Sequence, residues 1–319
     1  MRTFVSSGFS AVDVIMGNGM SVSSGGTATN VARALQGLGW KTQLIGTIGA
    51  DPAGEFLKSE LEGEGVGVVH LRQDEEWTTP VVLQIEHRGD HVWRFRCPIC
   101  ATAFAKHRPT PNEKARSLVL ELPPPDVFFF DRPSLFTLAI AESWAGQGTF
   151  VVFEPAGLGR PQLFDRAINA AQLVKFSSER SSSFIDRLAD SSATLVETRG
   201  SEGAQVRFAK EALWTHFPPE AVPSKVDSAG AGDWTTAGLL DSLFSAQSTE
   251  GLSTEGVSRA VAKGQSLGAM ACSWEGVHPK VPEKLDIADF ERFACPRVVR
   301  ESKTLQGDTP SSQRNTISA

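Results

Sequence analysis

Residues Asp227 to Gly238 read DSAGAGDWTTAG, a Gly-Ala-Gly step followed by a carboxylate and a helix-forming run. Glycine lets the backbone approach a ligand with no side chain in between. A helix beginning near Ala231 would leave its first amides unpaired at its positive end. Gly230, Ala231, Gly232 and Asp233 could then hold an anion such as a phosphoryl group in transfer, while the Asp233 carboxylate accepts a proton. A glycine-rich turn with an ordinary first-turn acid fits the same residues equally well.

The rest of the chain narrows the choice. Its 319 residues, 40% hydrophobic and 21% charged, suit one large α/β domain or two ordinary ones. A net charge of -6 gives no electrostatic reason to expect nucleic acid or an anionic membrane surface as partner. No apolar run approaches the roughly 20 residues of a membrane span, and the start MRTFVSSGFSAVDVI lacks the form of a secretory signal. Four cysteines are too few for a disulfide framework at this length, so a cytoplasmic protein is expected.

Periodicity gives the organisation. A β-rich opening (Thr3 to Ile15) leads through a Gly/Ser loop (Ser21 to Gly26) into a helix over Asn30 to Leu38. A strand over Thr42 to Ile48 and a helix over Pro52 to Leu61 follow. Between Val66 and Phe95 the alternation of Val81, Leu83 and Ile85 with polar residues, and the turn at Arg88-Gly89-Asp90, predict an antiparallel insert with one open face. Short apolar runs at 127–130, 150–153, 172–174 and 194–197 then alternate with helices at 134–144 and 162–170. This pattern predicts a mostly parallel sheet covered on both faces. Late helices are expected over 231–244 and 257–272, and a disordered tail over 301–319.

Several nucleotide motifs are missing: there is no G-x-x-x-x-G-K-[ST], no G-x-G-x-x-G after the first strand, and no protein-kinase loop set. Instead GGTATNVA at Gly25 to Ala32 precedes Leu38-Gly39 and the run IGTIGADPAG at Ile45 to Gly54. In this order, and with the late DSAGAGD, these stretches resemble the two signatures of the ribokinase-like (PfkB) carbohydrate kinase family, over roughly residues 3 to 285. The resemblance implies a three-layer α/β sandwich with a mostly parallel central sheet and a small β lid. The kinase domain would span residues 1–300, with the lid insert at 66–108.

It also implies an activity and its residues. The chain would transfer phosphate from ATP, with Mg2+ and room for a monovalent cation, to a hydroxyl of a sugar or sugar-like molecule. A nucleoside kinase on the same fold and a non-catalytic sugar or nucleotide binder are the alternatives. Asp233 would be the base, and the Gly230, Ala231 and Gly232 amides the anion hole. Asp13, Gly25, Gly26 and Asn30 would meet the substrate. Lys175, Glu179, Thr198, Gly200, Gly203, Asp227 and Gln265 would lie on the nucleotide side, with Glu179 reaching magnesium through water. Four positions depart from the family pattern: Ser228 for threonine, Phe176 for asparagine, Glu154 for aspartate before Pro155, and a bulky Trp234 after the base.

Other signals have simpler readings. Cys97-Pro-Ile-Cys100 is half of a zinc knuckle, but no second C-x-x-C exists, His91 and His107 are oddly spaced, and Cys272 and Cys295 are remote in sequence. A reduced thiol pair is therefore favoured over zinc. Thr79-Pro80 reads as the start of an edge strand. Arg94, Arg96, Lys106, His107 and Arg108 read as a solvated basic stretch rather than an anion site. A homodimer through the open face of the lid is expected.

Overall fold

The first strand, β1 (Thr3–Ser7), buries its last four residues, so both of its faces must be covered. That description comes from a computed structural model, which describes residues 1–307 apart from positions 18, 88–89, 210, 223, 246–251 and 280–281. The chain continues through β2 (Ala11–Gly17), β3 (Gly19–Gly25), α1 (Thr27–Gly37), β4 (Lys41–Leu44), β5 (Gly46–Gly49) and α2 (Pro52–Gly63). Next come β6 (Leu71–Asp74), β7 (Val81–His87), β8 (Asp90–Arg94), α3 (Glu113–Glu121), β9 (Val127–Phe130), α4 (Leu135–Ala145), β10 (Phe150–Phe153) and α5 (Pro161–Ala170). The remainder is β11 (Leu173–Ser177), α6 (Ser178–Ser181), β12 (Thr194–Thr198), β13 (Ala204–Arg207), β14 (Thr215–Phe217), α7 (Ala231–Leu243), α8 (Thr254–Ala271), β15 (Glu283–Lys284), α9 (Ile287–Ala294) and α10 (Pro296–Gly307).

Eight strands form the central sheet in the order β14-β13-β12-β11-β10-β9-β1-β4. From β4 to β12 neighbours pair in parallel, and β13 and β14 extend the edge antiparallel. Alternation within VFFF of β9 sends Phe128 and Phe130 to one core and Val127 and Phe129 to the other. Phe128 and Phe130 pack with Phe136 and Trp144 of α4 and Phe164 of α5. The opposite face is covered by α1, α7 and α8, which supply Val31, Leu35, Leu239, Leu240 and Val261. Three layers result, as the resemblance implied.

Strand order reverses between β1 and β9, because the chain steps outward from β1 to β4 and later returns to β1's other side. Such a switch opens a crevice beyond the carboxyl ends of the strands. Gly8, Asp131 and Glu154 follow β1, β9 and β10 there.

The second sheet has the order β15-β3-β2-β7-β8 and corrects two expectations. It is not an insert confined to 66–108, because β2 and β3 reach it from before α1. Nor is it wholly antiparallel: β7 pairs in parallel with β2, placing Asp13 opposite Val82. The expected Gly/Ser loop at 21–26 is mostly strand β3, with Val22 to Gly25 buried. Its small residues are suited to close packing rather than to a turn, since the buried Arg33 donates to Ser24 O at 2.8 Å. The single strand expected over 42–48 is two: β4 stays in the large sheet, while β5 pairs with β6.

The expected tail also changes, because residues 301–307 continue α10, while 308–319 lie outside the described residues. The Arg88-Gly89 part of the expected turn does too. Among the described residues no helix is long and apolar enough to cross a membrane.

Candidate active site

Helix α7 starts where DSAGAGD predicts. Gly230 caps it with φ 72°, in the left-handed region, and a Cβ there would lie 2.3 Å from Val277 Cγ1. Only glycine meets both demands. Asp233 stands in the first turn, whose amides have no preceding helical carbonyl to bond. Asn30, near the start of α1, donates its Nδ2 to Asp233 Oδ2 at 2.7 Å. Burial, followed by the nearby Glu154 charge, pushes the Asp233 carboxyl up to about 7, against the opposing pull of Lys175 and the Asn30 bond. A carboxyl poised there can exchange a proton near neutral pH.

Lys175 on β11 is buried and fixes this turn from below. Its Nζ donates to Glu154 Oε1 at 2.7 Å and to the Gly232 carbonyl at 2.8 Å. Glu154 Oε2 in turn accepts from Thr236 Oγ1 of α7 at 2.6 Å. One ion pair thus ties the carboxyl ends of β10 and β11 to the helix that carries Asp233. Breaking such a buried pair by removing one partner typically costs about 3–5 kcal/mol.

The expected substrate residues gather on the lid side of the cluster. Asp13 on β2 is buried, and a Cβ on Gly25 would fall 2.0 Å from Asp13 Oδ2. Gly25 is therefore the clearance for that carboxylate. Burial raises Asp13 to about 7, the Arg33 charge opposing it. Asn30 Oδ1 is buried with no hydrogen-bond partner among the described residues. An acceptor left bare in this way is costly unless a ligand donor meets it.

Asp131, at the end of β9, adds a further buried carboxylate. It accepts from Phe9 N at 2.8 Å and from Arg132 Nη1 at 2.7 Å, and burial raises it to about 6. Beside it, a cavity of about 210 Å³ is lined by Gly8, Ser10, Thr47, Trp77, His107 and Arg108, among others. Burial and the Arg132 charge lower His107 to about 4, so its ring is neutral there at physiological pH. Of the basic stretch, Lys106, His107 and Arg108 line this cavity, while Arg94 and Arg96 are exposed elsewhere.

The expected nucleotide residues are more dispersed. Thr198 ends β12, and Gly200 and Gly203 shape the turn after it, both at positive φ. Gln265 on α8 donates to Pro218 O at 3.0 Å beside the β14 edge. Asp227 accepts from Gln84 Nε2 of β7 at 2.7 Å, so it joins the late motif to the second sheet. Glu179 is exposed on the short α6, and its carboxylate makes no hydrogen bond to the Asp233 cluster among the described residues.

Sequence reasoning passed over Asp131 and the central role of Glu154. The signal for both was present: each is an acid directly after a strand of buried phenylalanines and valines, at the sheet's carboxyl edge. Trp234 also finds its reason. Its Nε1 donates to Val277 O at 2.8 Å, and its ring packs edge-on against Trp274 at 5.0 Å. The residue locks the start of α7 to the 274–278 segment. Thr79 is buried rather than at an open edge; its hydroxyl accepts from Gly49 N at 3.0 Å and its amide donates to Asp51, the cap of α2.

Comparison with known proteins gives the family and the fold. The pfkB family carbohydrate kinase profile matches residues 2–97. A fructokinase of Salmonella typhimurium is 30% identical over 295 residues, covering 82% of this chain and 90% of that one. An aminoimidazole riboside kinase of Salmonella typhimurium is 27% identical over 285 residues, covering 81% of this chain and 84% of that one. In fold, a fructokinase double mutant from Vibrio cholerae, in a fructose-, ADP- and potassium-bound form, superposes with a TM-score of 0.69 at 24% identity, covering 92% and 98% of the two chains. The chain belongs to the pfkB family and is a carbohydrate kinase.

Proposed function

We propose that this kinase transfers the terminal phosphate of ATP to a hydroxyl of a ketohexose-like sugar, with Asp233 as the base. The observation that carries the reading is the hydrogen-bonded pair of the half-buried Asp233 and the buried Asn30 at the positive end of α7. The Asp233 carboxylate takes the hydroxyl proton, and the Gly230 to Asp233 amides hold the phosphoryl group as its charge shifts. Asp13 and the bare Asn30 Oδ1 hold further hydroxyls, one as acceptor of two donors and the other completing its own empty bond.

The donor set suits magnesium, a hard cation that prefers oxygen ligands and retains waters. The exposed Glu179 carboxylate, just beyond β11, would hold it through water, and Glu154 is the second carboxylate near the phosphate path. Bound there, magnesium would neutralise phosphate charge. Thr198, Gly200, Gly203 and Gln265 line the nucleotide side in this reading. The fructose and ADP of the Vibrio relative and the fructokinase activity named for the Salmonella one support the sugar and nucleotide assignment. A potassium ion in that relative supports a monovalent cation as well. Val92 and Trp93, exposed on the edge strand β8, and Phe95 just after it support a homodimer through the lid.

A coupled ADP-release screen over hexoses, pentoses and nucleosides tests the substrate. Ketohexoses are expected to give the highest kcat/KM. A clear preference for a riboside would move the assignment to a nucleoside kinase.

A further inference from the structure

The segment after β8 folds into a small hairpin that the kinase chemistry does not use. Arg96 and Ala103 form an antiparallel bridge, Cys97 N donates to Thr102 O at 2.9 Å, and Ala101 N donates to Cys97 O at 2.9 Å. Ala101, directly after Cys100, has φ 57° and is the sole non-glycine residue at positive φ among the described residues. Such a conformation is rarely adopted without a reason. Here it turns the chain so that the Ile99 and Cys100 amides reach the Cys97 sulfur while the Thr102 amide reaches the Cys100 sulfur.

A third thiol arrives from far along the chain. Cys295, between α9 and α10, places its Sγ so that all three sulfurs lie within 4.8 Å of one another. The amide of Arg297, two residues on, reaches the Cys100 sulfur as well. Cys97 and Cys295 are buried and Cys100 is half-buried, while Cys272 is outside the cluster. Zinc bound to thiolates at about 2.3 Å in a tetrahedron needs sulfurs roughly 3.8 Å apart, so small side-chain shifts suffice.

We propose that Cys97, Cys100 and Cys295 bind one zinc ion as thiolates, with the fourth position, on the Cys100 side, open to water or a small donor. Up to three protons leave as the metal enters. The amides directed at the Cys97 and Cys100 sulfurs supply the hydrogen bonds that orient thiolate ligands. A disulfide would use only two of the three sulfurs and would not need four amides directed at them.

The site would staple the C-terminal helices to the wall of the cavity beside Asp131. Phe293 of α9 packs edge-on against Phe56 of α2 at 5.4 Å, and Lys303 of α10 donates to Trp77 O. Trp77 lines the cavity and lies under Arg108, with 4.8 Å from the guanidinium carbon to the ring. Metal there fixes the hairpin leading to Lys106, His107 and Arg108 against that same helical pair.

The test uses the 319-residue chain purified under reducing conditions. Metal released on denaturation is measured, and metal-free protein is titrated with zinc against a chromophoric chelator. The expected result is about one equivalent of zinc, unchanged in Cys272→Ser and bound at least ~10-fold more weakly in Cys295→Ser and Cys100→Ser. Cobalt-loaded protein should show sulfur-to-cobalt charge-transfer bands that Cys295→Ser loses. Circular dichroism confirms that each variant is folded; if Cys295→Ser is not, the half-buried Cys100→Ser carries the comparison. Absence of zinc uptake by the fully reduced wild type, or full retention in folded Cys295→Ser or Cys100→Ser, overturns the proposal.

Discussion

Asn30 Nδ2 and Asp233 Oδ2 meet at 2.7 Å, joining the starts of two helices that lie on the same face of the central sheet. The amide favours the ionised carboxylate, whereas burial and Glu154 favour the protonated one. Asn30→Ala should therefore raise the Asp233 pKa above its present value of about 7. The acid limb of the kcat/KM profile should move to higher pH. A hydrogen bond to a charged group is worth about 1.5–3 kcal/mol, so kcat/KM at neutral pH should fall roughly 10- to 150-fold. An unmoved acid limb in this variant would separate Asn30 from the base.

Asp13 gives a stability test with a definite sign. Folding raises its carboxyl from 3.8 to about 7, so the folded chain holds a proton there that the unfolded chain releases. Stability from this group is present below about pH 4 and is lost as pH rises toward 7. Asp13→Asn should stabilise the protein at about pH 8 by roughly 2–4 kcal/mol, with the gain vanishing below pH ~4. Urea unfolding across that range measures it. The same variant should bind substrate more weakly. Equal stability of the two proteins at alkaline pH would contradict the burial argument.

Trp234 should matter for stability more than for turnover. Trp234→Phe keeps a ring against Trp274 but leaves the Val277 carbonyl without its 2.8 Å donor. A loss of about 1–3 kcal/mol is expected, and about 3–5 kcal/mol for Trp234→Ala. At temperatures where Trp234→Phe is folded, kcat should stay within a few-fold of wild type. A large fall in kcat with an unchanged melting temperature would mean that the indole takes part in the reaction.

The sequence was most readable where local pattern and long-range demand agree. VFFF and FVVF are strands because every residue in them is apolar, and TLVET because all but Glu197 are apolar or β-branched; DSAGAGD opens a helix because glycine and a first-turn acid suit that place. Strand β3 was not readable, since GMSVSSG has the composition of a loop and is held by pairing with β2 and β15. Helices α9 and α10 were missed because their apolar faces make sense only against α2 and the hairpin at 96–103. The same distance hid Cys295, which folding brings beside Cys97 and Cys100. In the site, the family resemblance pointed to Asp233, Asn30 and Gly25; folding brings Asn30 to Asp233 and sets Gly25 against Asp13. Asp131 and Glu154 stand directly after apolar strands, a signal the sequence carries, but their meeting with Asp233 was not legible, because the order of strands in the sheet rather than nearby sequence brings them there.

The central claim is that Asp233 takes the substrate proton, and the kcat of Asp233→Asn tests it most directly. Asparagine preserves the shape and removes a half-buried carboxylate that lies near the Glu154 charge, so the variant should fold and melt no lower than wild type at neutral pH. With the sugar that wild type uses best and saturating ATP and magnesium, kcat should fall about 10²- to 10⁴-fold. Turnover within a few-fold of wild type by the folded variant would contradict the account.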